Sequence, residues 1–155
     1  AQIASFSLAL MAQASCQTAP AYESRLDSEL IILSERMRAE TDQNSRDRIA
    51  SNIADTIIST EIADRHVSEE AIAGLISFVP HESFDFIIAK ALGELGPQAT
   101  SAEPVLRAAF LEGERRDAAM PVAPSFTGTP WIRLAIEQIS GQAPQTYHPE
   151  LRPRQ

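Results

Sequence analysis

The sequence predicts an all-α fold of six helices, paired as three antiparallel hairpins over residues 23–141. Three observations lead there. Apolar residues recur at helical spacing, most regularly at Phe84, Ile88, Ala91, Leu92 and Leu95, which share one face of a 3.6-residue turn. Helix-ending chemistry stands where that periodicity stops, as at Gly96-Pro97, where glycine accepts a left-handed cap and proline cannot continue the helix. Composition agrees: aromatics are 6% and glycines number 6 in 155 residues, while 44% hydrophobic content is enough for one domain with a core.

Taken in order, residues 1–22 carry no charge. The apolar run Ile3–Met11, followed by Ala12-Gln13-Ala14, reads as the hydrophobic region and cleavage site of a secretory signal peptide over residues 1–15. It is too short to span a bilayer as a mature helix. Ala14-Ser15-Cys16 also resembles the site at which a bacterial lipoprotein is lipidated on its cysteine, although Gln13 stands where an aliphatic residue is usual. Cleavage near Ala14 and lipidation of Cys16 both stay open. Either places the protein outside the cytoplasm: periplasmic, secreted, or anchored to a membrane only if Cys16 carries lipid. With a single cysteine no intrachain disulfide can form, so packing alone must hold the fold.

Residues 16–22 form a polar linker. From Glu23 to about Glu40 the pattern is helical, with Leu26, Leu30, Leu33 and Met37 on one face. Thr41–Ser45 is a turn, and Asn44 with Asp47 three residues on marks the next helix start. That helix runs to about Asp64 with Ile49, Ile53, Ile57 and Ile58 inward. Ser68 then caps a helix over Glu69–Val79, its acids Glu69 and Glu70 suiting the positive helix end. Pro80–Ser83 turns the chain into the Phe84–Leu95 helix, where Ala89 and Ala91 are small enough for a neighbouring backbone to approach. Gly93 and Gly96 belong to its cap. Glu103-Pro104 starts the fifth helix, running to Glu112 with Val105, Leu106, Ala109 and Phe110 inward. Gly113–Thr129 reads as a long inter-helix segment, and Thr129-Pro130 starts a sixth helix with Ile132, Ala135, Ile136 and Ile139 as its stripe. Gly141 closes it, and residues 142–155, with three prolines, form an extended, flexible tail.

Stacked hairpins bury in sequence what one hairpin cannot bury alone. Glu69–Glu112 resembles a HEAT-like repeat of the short bacterial type, the PBS lyase HEAT-like family. In that family the second helix ends Ala-x-Ala-Leu-Gly-x-Ile-Gly, and Ala89-Lys90-Ala91-Leu92-Gly93-Glu94-Leu95-Gly96 matches it with Leu95 for isoleucine. The likeness is weaker at Trp131–Gly141, and Asp85 stands where the family has an arginine. Equating Leu92 with Ile139 gives a 47-residue period (139 less 92), within the range of the longer helical repeats. The resemblance implies a short α-solenoid. Some distant relatives of the repeat are chromophore lyases, but a repeat unit transfers no active site.

Charge and motif content narrow the function. Residues 1–106 hold 16 acids against 7 bases, and residues 107–155 hold 5 against 6, for a net charge of −8. No basic stripe offers counterion release, so nucleic acid is not an expected partner. Lys90 is the only lysine and carries no mechanism by itself. His66, His81 and His148 lie far apart in turns or the tail, with no metal-ligand spacing, phosphate loop or nucleophile elbow anywhere. No cofactor or metal is expected, nor an enzyme. The expected function is a non-catalytic exported scaffold for a protein or peptide partner. The alternative is an enzyme-associated module that binds or modifies a small ligand in its groove. The expected contact surface is Met120, Val122 and Phe126 on the 113–129 segment, with Trp131 beside it. The alternative is that the segment covers the end of the repeat stack as a cap, with Trp131 in the core.

Overall fold

A computed structural model describes residues 24–79, 85–120 and 128–142, which are all-α with no strand among them. The helices are α1 (Arg25–Ala39), α2 (Gln43–Ser59), α3 (Glu69–Ile76), α4 (Asp85–Leu95), α5 (Glu103–Ala119) and α6 (Thr129–Ser140). Short 3-10 segments cover Ile62–Asp64 and Gly96–Ala102. Residues 1–23 (with Cys16 and the expected signal peptide), the Pro80–Ser83 turn, Phe84, Val122, Phe126 and the tail beyond Gln142 lie outside the described residues.

α1 starts at Ser24, whose hydroxyl accepts the Asp27 amide at 3.0 Å. Leu26, Leu30 and Met37 are buried and Leu33 half-buried. The start of α2 is set by Asp42 rather than Asn44. The Asp42 carboxylate accepts the Ser45 amide at 2.8 Å, which leaves Asn44 inside the first turn. The helix stops at Ser59, short of Asp64, because Arg65 folds back over its end. That guanidinium donates to the carbonyls of Ile58 (3.1 Å) and Thr60 (2.9 Å), and across to the Glu94 carbonyl of α4 (3.1 Å). Ile49, Ile53 and Ile57 are buried, whereas Ile58 is 40% exposed: one residue beyond Ile57 is about 100° further round the helix.

Ser68 caps α3 as expected, accepting the Ala71 amide at 3.2 Å. Its own amide donates to the buried Asp27 carboxylate at 2.6 Å, which ties α3 to the start of α1. In α4 the residues Ile88, Ala89, Ala91, Leu92 and Leu95 are all buried. Gly96 takes the left-handed cap, with φ +61°. The chain then continues as the 3-10 segment and buries Ala99 and Ala102.

α5 begins with Pro104 in its first turn but runs well past Glu112. Residues 113–119, expected in a loop, are therefore helical. Gly113 is a contact residue, not a break: a Cβ there would meet the Thr129 Oγ1 at 2.6 Å. The Thr129 hydroxyl also donates to Asp117 at 2.9 Å, joining the end of α5 to the start of α6. α6 buries Ile132, Ala135, Ile136 and Ile139, as its stripe predicts, and ends at Gly141 with φ +72°.

Gly93 also has a different role from the expected cap. A Cβ on it would stand 2.9 Å from the Ala135 Cα, so the backbones of α4 and α6 approach closely there. This crossing is the most extensive packing among the described helices. α2 packs on the other flank of α4, so α2, α4 and α6 lie in a row, while α1 packs on α2 and α3, and α5 on α6. No described helix is long and apolar enough to cross a membrane.

Candidate functional site

The row of α2, α4 and α6 has an outward side, and its residues follow from helix periodicity. With Ile88, Leu92 and Leu95 turned to the core, α4 presents Phe86 and Lys90 away from it, and Ile87, half-buried against the core, at the edge. α2 likewise presents Ser51, Asp55 and Ile58, with the buried Ala54 at the floor, and α6 adds Trp131. Together they line a groove of about 270 Å³. Phe86 packs against the backbone at the start of α6. The Phe86 ring packs so near Gly128 that a Cβ there would approach its Cβ to 2.7 Å. The Gly128 carbonyl in turn accepts the Trp131 amide at 3.0 Å.

The Lys90 ammonium stands 5.3 Å from the centroid of the Trp131 ring, within cation–π range. Lys90 is half-buried and Trp131 is 38% exposed, so the pair forms one wall of the groove and remains open to solvent. Neither Lys90 nor Asp55 makes an ion pair or hydrogen bond among the described residues. Such a groove can hold an apolar or aromatic side chain, and it offers one charge of each sign at its edges.

Of the four expected contact residues, Trp131 lies in this groove and is not in the core. Met120 ends α5 and is 42% exposed, but it does not line the groove. Val122 and Phe126 lie outside the described residues, as does Cys16. Sequence reasoning missed Ile58, which it turned inward, and Phe86, Ile87 and Lys90. A signal for these last three was present: they are the complement of the α4 core stripe.

Three further clefts among the described residues are larger. One of about 360 Å³ lies beside Arg36 and Arg48, and one of about 470 Å³ lies between α1 and α2, against Ile32, Leu33 and Asp55. The third, about 580 Å³, is polar and lies near His66. Its hydroxyls are engaged locally: Ser59 and Thr60 both donate to the Thr56 carbonyl, and Ser24 donates to the His66 carbonyl. No cluster of three or more His, Cys, Asp or Glu able to hold a metal occurs among the described residues. Two carboxyls are held below their ordinary range. For Asp42 the main cause is the Ser45 amide, and for Glu112 it is the Arg115 guanidinium; both are exposed capping or pairing groups, and neither lines the groove. No protein-family model matches the chain, and comparisons with curated proteins and with solved structures find no similar protein.

Proposed function

We propose that this chain is a non-catalytic helical-repeat scaffold that binds a protein or peptide in the groove between α2, α4 and α6. The HEAT-like reading of Glu69–Glu112 belongs to the same proposal. On it, the hairpins α1–α2, α3–α4 and α5–α6 are successive units of a short α-solenoid. The packing of α1 on α3, of α2 on α4 and of α4 on α6 supports that order, since stacked repeats set like helices side by side. The proposal extends to export, supported by the uncharged residues 1–22 and the Ala12-Gln13-Ala14 and Cys16 pattern. Mass spectrometry of the protein from its own host tests that part; an intact N-terminus refutes it.

One observation carries the binding role. The only tryptophan of the chain stands partly exposed at a groove floored by apolar residues, with a lysine stacked on its face. Large aromatic side chains left at a surface are favoured contact residues, because they bury much area and lose little rotamer freedom. The test is to pan a random-peptide library against the full chain and to titrate the parent and its variants into fluorescein-labelled selected peptides, following the anisotropy of the label. A saturable anisotropy change, with binding lost in Trp131→Ala but not in Met120→Ala, is the expected result. Selected peptides that bind Trp131→Ala as well as the parent refute this groove.

A further inference from the structure

We propose that the outward ridge of α2 docks an amphipathic helix of a protein partner, placing a basic side chain on Asp55 between two apolar anchors. This rests on the reading of the Trp131 groove as a binding surface and names its occupant.

The argument starts from what flanks α2. Ser51, Asp55 and Ile58 line the groove shared with α4 and α6, while Asn52, Asp55, Thr56 and Ser59 line the cleft shared with α1. Asp55 lines both, so it sits on the crest between two furrows. Each furrow offers exposed apolar surface: Ile32 is 55% exposed on the α1 side and Ile58 40% on the other. A helix with a furrow along each side is the surface onto which the side-chain ridges of another helix pack. Anchors one or two turns apart on an incoming helix, with a polar residue between them, suit that shape.

Charge then selects the polar residue. Asp55 makes no ion pair or hydrogen bond among the described residues. Glu29, the other acid of the two furrows, is paired with Arg25 at 2.9 Å. Lys90, the one base lining them, already lies on the Trp131 ring. An arriving lysine or arginine gains a partner at Asp55, and the net charge of −8 attracts it, whereas an arriving acid is repelled.

The test uses two synthetic amphipathic helices with the same leucine face, one carrying lysines and the other glutamates at the polar positions. Each is titrated into the full chain against Trp131 fluorescence, with circular dichroism confirming that every variant is folded. The lysine peptide should saturate the signal and the glutamate peptide should not. Asp55→Asn should weaken the lysine peptide about fivefold, the scale of one exposed ion pair. Asp55→Lys should reverse the preference between the peptides, and Ile32→Ser should weaken binding from the far furrow. Equal binding of both peptides, no binding of either, or an Ile32→Ser affinity equal to the parent overturns the proposal. Its failure is separable from that of the groove itself: library-selected peptides that still depend on Trp131 leave the groove standing and remove only the α2 ridge and its charge rule.

Discussion

The two sides of α4 use the same eleven residues to opposite ends. On the side facing α6, Leu92 is fully buried, and Gly93 lets the neighbouring backbone come to the distance at which Ala135 leaves no room for a Cβ. On the outward side Phe86, Ile87 and Lys90 meet Trp131 without closing, and about 270 Å³ stays open. Small residues make the first side close; a bulky ring and a long cationic chain make the second stay open. Close packing lies on the one side and open surface on the other.

The largest effect expected is on the closed side. Leu92→Asp puts a carboxylate where no partner reaches it, at a cost of several kcal/mol, comparable to the whole stability of a domain this size. The variant should lack a cooperative thermal transition by circular dichroism; a melting curve like the parent's would show that this face is not the core. Gly93→Val comes next. Its branched side chain must displace Ala135 or Gln138, and overpacking of this kind costs about 1–3 kcal/mol. Chemical denaturation should show a lower midpoint with an unchanged slope, which places the loss in native packing. An unaltered midpoint would mean that α4 and α6 can part there without cost.

On the open side the losses should be smaller. Trp131→Ala gives up a partly exposed ring and its lysine contact, about 1 kcal/mol against the several expected at Leu92. In the parent, acrylamide should quench Trp131 readily, as suits a ring 38% exposed; resistance to quenching would place it in the core. The smallest effect lies on neither side, at the cap of α2. The folded Asp42 carboxyl is held below its ordinary 3.8, chiefly by the Ser45 amide, then by the Ser45 side chain and Arg48. A depressed carboxyl stabilises the fold fully above the unfolded value, and that contribution fades as pH falls through the folded one. Asp42→Asn keeps the acceptor and loses the titration. The melting difference between parent and variant should therefore be constant above pH 3.8 and shrink below it; a difference that does not change with pH refutes this origin.

How much of this was legible beforehand varies by residue. Ser68 as a cap, the prolines at the starts of α5 and α6, and the stripe Ile132, Ala135, Ile136, Ile139 read directly, because capping and 3.6-residue periodicity are local. Residues 113–119 misled because the run Glu114-Arg115-Arg116-Asp117 has no apolar stripe and follows a glycine. Its helix is held by Glu112–Arg115 pairing and by the Thr129 contact to Asp117, and the second of these is twelve residues away. The end of α2 misled likewise, since it depends on Arg65 reaching both Thr60 and Glu94.

The sequence by itself determined that the chain is helical, where most helices begin, and which face of each is apolar. Those are properties of a few consecutive residues, settled by backbone hydrogen bonding and side-chain period. Only the tertiary structure decided that Gly93 is a crossing point, that Ile58 faces solvent, and that Lys90 meets Trp131 from forty-one residues away (131 less 90). Which outward residues come together depends on how closely and at what angle helices pack, and that is set by partners distant along the chain.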